Sequence, residues 1–220
     1  MQSPYWRLHL KPWLMDYSQH HRASWQDLWH VMVQESMRRW RHGPRPLAYD
    51  WQDIARVALH ADLPDPATPE RSRVLPLVYP DVWDFLVWSQ HQRAQLYIVT
   101  NGFIRNQHPY LRALGWDKIM AAEIGSDSGY TKPDPRIFDL IPELDLHIGD
   151  RVAHDVLGAK RAAVVAVHVN RRDTKEDKMG WDPLSPAQCA ADLTIMTLHE
   201  LPQLVRNAMP DTMIRKVGSL

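Results

Sequence analysis

Residues 96–102, Leu-Tyr-Ile-Val-Thr-Asn-Gly, decide the fold class of this chain. The apolar run, rich in aromatic and β-branched types, predicts a buried strand that ends at Val99. Thr100, Asn101 and Gly102 follow at the carboxyl end of that strand. A hydroxyl and adjacent backbone N–H groups at such a position form a cradle for a phosphate or carboxylate oxygen. An ordinary Asn-Gly turn is the alternative interpretation.

Strands and helices alternate from residue 76 onward. Further apolar runs predict strands at 146–148, 164–169 and 193–196. Helices are predicted at about 80–92, 106–114 and 154–163. This alternation predicts an α/β fold, with a Rossmann-like parallel sheet and helices on both faces. Ligands of such sheets bind at the carboxyl ends of the strands.

The front of the chain has a different, helical pattern. Ser24 is a good N-cap with Asp27 as its capping-box partner, and the apolar stripe that follows stops at Gly43-Pro44. A second helix is predicted from Asp50, and prolines in residues 62–76 indicate a linker. We therefore predict three segments, listed here in chain order: a helical domain at 1–75, an α/β core at 76–205 and a C-terminal tail at 206–220.

Two carboxylates follow the predicted strand at 146–148. Asp150 ends that strand, and Asp155 lies at the start of the next helix. Carboxylates on one strand-to-helix loop can supply oxygen ligands to Mg²⁺, which also takes ligands from water and substrate phosphate. Asp155 has an alternative role as an acid that favours the helix N-terminus.

A lysine precedes a stiff, proline-rich loop between these two sites. Lys132 is followed by Pro133-Asp134-Pro135, which restricts the backbone and fixes the direction of the lysine side chain. A lysine held toward a strand-end site supplies a counter-charge for an anion. The alternative is a solvated surface lysine.

The order of these three motifs resembles that of the haloacid dehalogenase (HAD) superfamily of hydrolases, and the resemblance covers residues 79–205. It implies that residues 1–75 are the helical cap that many members insert after their first strand. It also implies a Mg²⁺-dependent phosphatase that acts on a small phosphorylated substrate through an aspartyl-phosphate. The implied roles are phosphoryl binding by the Thr100 hydroxyl and the Asn101 backbone N–H, charge neutralisation by Lys132, Mg²⁺ ligation by Asp150, and ligation or orientation of that shell by Asp155.

The family's first motif, a strand ending in Asp-x-Asp-x-Thr that carries the nucleophile, does not occur in residues 1–75. Asp16 is a candidate because apolar residues precede it, but Ser18 replaces the second Asp and Pro12 would interrupt a central strand. The other interpretation places the motif upstream of Met1. The chain would then be a truncated product, a product whose start is assigned at an internal methionine, or a variant that has lost its first strand. A sheet without this strand would expose two edges unless residues 4–10 or a partner chain fill the gap.

Two other functions stay open. The missing motif favours an inactive family member that binds a phosphorylated ligand or a protein partner. Dehalogenation of a 2-haloacid is the third hypothesis, which needs the same missing nucleophile.

Composition excludes several other classes. Among 220 residues, Lys+Arg and Asp+Glu are 26 each, and this zero net charge argues against nucleic-acid or membrane-surface binding. A single cysteine excludes an intramolecular disulfide and favours the reducing cytoplasm. Ten tryptophans and twelve histidines, concentrated toward the front, have no assigned role, and neither the substrate nor the oligomeric state has a sequence signature.

Overall fold

A six-stranded parallel sheet confirms the predicted α/β fold class. The computed structural model describes residues 3–171, 190–208 and 215–219, so Cys189 lies outside the described residues. The spatial order of the strands is β2-β1-β6-β3-β4-β5. Their bounds are β1 Gln95–Val99, β2 Met120–Ile124, β3 Leu146–Gly149, β4 Val165–Val169, β5 Leu193–Ile195 and β6 Lys216–Ser219.

The strands belong to one of two compact units, which consists of Tyr79–Thr100, Ile119–Ile124 and Thr131–Leu220 as far as these are described. Helices connect the strands as the parallel topology requires. Within this unit the connecting helices are α7 Arg136–Asp139, α8 Leu157–Arg161 and α9 Leu201–Ala208, and α5 Asp81–His91 precedes β1. Fully buried apolar side chains from the strands, including Val99, Leu146 and Val167, form its core.

The other unit is helical and consists of Met1–Val78, Asn101–Lys118 and Gly125–Tyr130, again as far as described. A π-helical turn at Trp6–Leu10 continues into α1 Lys11–Gln19, and the other helices are α2 Trp25–His42, α3 Trp51–Leu59, α4 Arg71–Val74 and α6 Ile104–Leu114. Single-turn 3₁₀ helices at Arg45–Tyr49 and Leu75–Leu77 connect some of them. Leu14, Met32 and Ile54 are buried in this unit.

The predicted limits of the long helix α2 are confirmed. Ser24 Oγ accepts a hydrogen bond from the backbone N–H of Asp27, and the Asp27 carboxylate accepts one from the backbone N–H of Ser24. This reciprocal pair satisfies two N–H groups that the first turn leaves free. At the other end Gly43 is the C-cap and Pro44 follows.

Residues 13–18 are helical, so the strand interpretation of this segment is wrong. Pro12 directly follows the π-helical turn Trp6–Leu10, an irregular turn of the kind at which a helix accommodates a proline. Asp16 is exposed near the end of the same helix. The proline that argues against a central strand thus lies within a helical segment.

The centre of the sheet is completed by a strand that the sequence patterns do not predict. β6 lies between β1 and β3 and pairs with both. Residues 4–10 do not fill this position, since Trp6–Leu10 is helical, and no partner chain is needed for it. Residues 206–220, predicted as a tail, thus contribute a central strand at Lys216–Ser219.

Among the helices that the structure describes, none combines the length and the apolar character needed to span a membrane.

Candidate functional site

Lys132 is buried at the carboxyl end of β1. Its side chain is 4% exposed, and Nζ donates hydrogen bonds to the carbonyl oxygen of Val99 and to Asp155 Oδ1, each at 2.6 Å. Long lysine side chains are almost never buried without a partner. The structure therefore places Lys132 away from solvent, with its charge fixed at the sheet edge where ligands of parallel sheets bind.

Asp155 is the anionic partner of this lysine. Oδ1 accepts hydrogen bonds from Lys132 and from His147 Nε2, and Oδ2 accepts one from the backbone N–H of Arg151 at 3.0 Å. Burial opposes the charge of Asp155, but the Lys132 ammonium and the His147 hydrogen bond outweigh it and hold the pKa of Asp155 well below its usual range. Asp155 is therefore a carboxylate at neutral pH.

Gly149 leaves the space that the Asp155 side chain occupies beside β3. A Cβ at Gly149 would lie 2.2 Å from Asp155 Cγ, a distance that real side chains do not adopt. Gly149, at the end of β3, is thus needed for close packing of the Asp155 side chain against the strand.

His147 is a site residue that sequence reasoning missed. It lies within β3, is 1% exposed, and Nε2 is 2.9 Å from Asp155 Oδ1. Burial lowers the pKa of His147, so the ring is neutral and donates its Nε2 proton to the carboxylate. Phe138 packs edge-on against the ring, with centroids 4.9 Å apart. The available signal was a histidine in an otherwise apolar strand.

Thr100 and Asn101 follow β1 as predicted but belong to different units. The backbone N–H of Thr100 donates to the carbonyl oxygen of Ile124, which extends the pairing of β1 with β2 by one residue. In the helical unit, the Asn101 side chain donates to the Tyr49 hydroxyl at 3.1 Å, and the Asn101 carbonyl accepts a hydrogen bond from Ser126 Oγ at 2.6 Å.

Asp150 is exposed directly after β3 and makes no hydrogen bond or ion pair with any described residue. The register aligns Ile98 and Ile148 with the same residue of β6, Ser219. Thr100 and Asp150 each lie two residues farther on, at one level of the sheet and about two strand spacings, or ~10 Å, apart. A hydroxyl and an open carboxylate thus flank the end of the central strand.

One carboxylate at this site, that of Asp150, is exposed and can serve as a ligand of Mg²⁺. Asp150 is accessible, whereas Asp155 is buried and has hydrogen bonds on both oxygens. The described parts of the chain contain no group of three His, Cys, Asp or Glu side chains suited to holding a metal ion. Mg²⁺ commonly uses one or two protein carboxylates together with substrate phosphate and water, so Asp150 fits one ligand position and Asp155 fits an orienting role.

Curated relatives of this chain are phosphatases. A phosphoserine phosphatase from Thermus thermophilus is 33% identical over 152 residues, which is 60% of this chain and 57% of the relative. A glyceraldehyde 3-phosphate phosphatase from Methanopyrus kandleri is 33% identical over 101 residues, 42% of this chain and 43% of the relative. The chain spans about half the length of the curated relatives that it matches.

Solved structures share the fold over most of the chain. A HAD phosphatase from Thermococcus onnurineus superposes with a TM-score of 0.64 at 25% identity, covering 92% of this chain and 90% of that one. The haloacid dehalogenase-like hydrolase family profile matches residues 9–163, more than half of the sequence. This chain therefore belongs to the haloacid dehalogenase-like hydrolases.

Proposed function

We propose that this chain hydrolyses a small phosphomonoester, with Mg²⁺ and through an aspartyl-phosphate. The observation that carries the proposal is the buried Lys132 ammonium at the carboxyl edge of the parallel sheet, held in place by Asp155. Phosphoryl transfer depends mainly on positioning and on neutralising charge, and a fixed ammonium serves both. The phosphatase relatives support the same substrate class.

In this proposal the residues divide the work as follows. The Thr100 hydroxyl and the Asn101 backbone N–H bind phosphoryl oxygens, and Lys132 neutralises their charge. Mg²⁺ held at Asp150 would add positive charge beside the same oxygens. Asp155 and His147 do not contact the substrate. They orient Lys132, because their hydrogen bonds fix where its ammonium lies.

An aspartyl-phosphate also requires an aspartate that acts as the nucleophile. Asp150 directly follows β3, and none of the strands β1, β2, β4 and β5 is directly followed by an acidic residue. Asp16, the candidate from the sequence, lies on a helix. An Asp16→Asn variant decides whether Asp16 takes part. Loss of turnover together with loss of the covalent phosphoenzyme, with normal folding, supports Asp16 as the nucleophile, and retained turnover removes it from the mechanism.

A second candidate is a family member that binds a phosphorylated ligand without turning it over. The observation that favours it is the central strand β6, Lys-Val-Gly-Ser at Lys216–Ser219, which contains no carboxylate that could act as a nucleophile. Under this hypothesis Thr100, Lys132 and Asp150 still form an anion site.

A phosphomonoester panel with Mg²⁺, followed by release of inorganic phosphate, tests the first candidate. Turnover that chelation of Mg²⁺ removes supports the phosphatase. Saturable phosphate binding without turnover supports the second candidate. Halide release from a 2-haloacid without Mg²⁺ would contradict both and would indicate a dehalogenase.

A further inference from the structure

The strand β6 joins two halves of the sheet that do not pair with each other. β1 and β3 each hydrogen-bond to β6, one on either side of it. Without β6 the strand order would break into β2-β1 and β3-β4-β5, and both new edges would lie in the centre of the unit. Unpaired backbone groups at buried edges are costly. The space between β1 and β3 therefore needs a strand.

The amino end of β6 is held by one carboxylate. Asp145 Oδ2 accepts hydrogen bonds from the backbone N–H groups of Arg215 and Lys216, at 2.6 and 2.7 Å. The Lys216 ammonium donates to the carbonyl oxygen of Pro142 at 2.6 Å. Two successive amides on one carboxylate oxygen hold the amino end of β6 beside the start of β3.

The next two positions select side-chain size. Val217 is 0% exposed. A Cβ at Gly218 would lie 3.1 Å from His147 Nδ1, 3.3 Å from Leu144 Cδ2 and 3.4 Å from Val99 Cγ2. The position of Val217 thus takes an apolar residue. At Gly218 an added Cβ is tighter than ordinary van der Waals contact, so a larger, branched side chain there must displace its neighbours.

We infer that the space between β1 and β3 is a sequence-selective strand-binding site, whose occupant is this chain's own segment Lys216–Ser219. The site takes a parallel strand with a basic, an apolar, a glycine and a small residue in succession. It accepts a separate peptide of that pattern when the chain's own segment is weakened. In the unaltered chain the tethered segment excludes such a peptide, because linkage gives it an effective concentration in the millimolar range.

Hydrogen–deuterium exchange of the full chain tests the occupancy directly. Amides of residues 216–219 exchange as slowly as those of β1 and β3 if the segment is a central strand. Exchange of these amides at the rate of an unstructured peptide overturns the inference. Neither result depends on the phosphatase activity, so the proposed function can fail without affecting this one.

Selectivity is tested with a Gly218→Val variant of the full chain. A fluorescent peptide with the sequence of residues 215–220 binds to this variant and not to the unaltered chain. A control peptide with valine at the position of Gly218 binds to neither. A folded variant that ignores both peptides, or that binds both equally, overturns the inference.

An Asp145→Asn variant decides the matter if Gly218→Val does not fold. The asparagine keeps the size of the side chain and removes the charge that two backbone amides share. Exchange at residues 215–219 becomes at least several-fold faster in this variant, while exchange in β4 stays unchanged. Unchanged exchange at 215–219 contradicts a strand held by Asp145.

Discussion

Lys132 Nζ lies 2.6 Å from Asp155 Oδ1, and both side chains are 4% exposed. Removing one member of a buried ammonium–carboxylate pair strongly destabilises the folded state, because the other charge is then buried without a counter-charge. The pair joins the loop before α7 to the π-helical turn Val152–Val156 after β3, two segments that belong to different crossovers of the sheet. The geometry of the proposed phosphoryl site and the stability of this unit therefore depend on the same contact.

Asp155→Asn is expected to lower the free energy of unfolding by about 3–5 kcal/mol, because it leaves the Lys132 ammonium buried without its counter-charge. Urea denaturation measures the change. The matched control is Asp134→Asn, which breaks the more exposed ion pair with Arg136 and should cost less than about 1 kcal/mol. Equal effects of the two substitutions would contradict a buried, structurally important Lys132–Asp155 pair.

Gly149→Ala is expected to displace the Asp155 carboxylate, since the added methyl group would overlap it. Overpacking of this kind costs about 1–3 kcal/mol, and phosphate binding should weaken at the same time because Lys132 loses its anchor. Gly115→Ala is the control: Gly115 has a φ of 76° and no neighbour within 4 Å of an added Cβ. That change costs about 1 kcal/mol through backbone strain alone and leaves phosphate binding intact. Phosphate binding that is retained in Gly149→Ala and weakened in Gly115→Ala would contradict this role of Gly149.

Ser24→Ala is expected to lower the free energy of unfolding of the helical unit by about 1 kcal/mol, because it removes the N-cap of α2. Ser24→Thr should retain most of the stability, since the threonine hydroxyl can accept the hydrogen bond from the Asp27 backbone N–H and donate one to the Asp27 carboxylate. Thermal unfolding followed by circular dichroism separates the two variants. If both lose the same stability, the capping interaction does not contribute as described.

Glu35 links the stability of the helical unit to pH. The hydrogen bond from Arg38, reinforced by Arg39, lowers the pKa of Glu35 to about 2. The folded state thus binds the proton less tightly than the unfolded state, whose glutamate pKa is about 4.3. The stabilisation is complete above that value and is lost as the pH falls toward 2.

Solvent screening reduces this contribution to about 1–2 kcal/mol. Glu35→Gln should therefore flatten the pH dependence of the unfolding free energy between about pH 5 and pH 2. A Glu35→Gln slope equal to that of the unaltered chain would contradict the lowered pKa.

Local patterns predicted those parts of the fold that local interactions determine. The apolar run before Thr100 gave β1, and the Ser24–Asp27 pair gave the start of α2, because burial on both faces and capping leave a mark in a few neighbouring residues. The strand β2 was missed because it lies at the edge of the sheet, where Ala121 and Ala122 are exposed and no buried run forms.

The central strand β6 could not be predicted for a different reason. It has four residues, includes Gly218, and obtains its stability from partners far away in the sequence, such as Asp145. No local propensity reports such long-range pairing. His147 was missed likewise, because only the fold brings it to Asp155. By contrast, the order of Thr100, Lys132 and Asp150 along the chain was enough to identify the family.

The most direct test of the proposed phosphoryl site is a calorimetric titration of the full chain with inorganic phosphate in a buffer that contains Mg²⁺. We expect saturable binding by the unaltered chain and by Asp139→Asn, an exposed control in the same unit. Asp150→Asn should lose that binding and keep its unfolding free energy, because Asp150 is exposed and has no partner among the described residues. Absence of phosphate binding by the unaltered chain, or equal binding by Asp150→Asn, would contradict a phosphoryl site at this edge of the sheet.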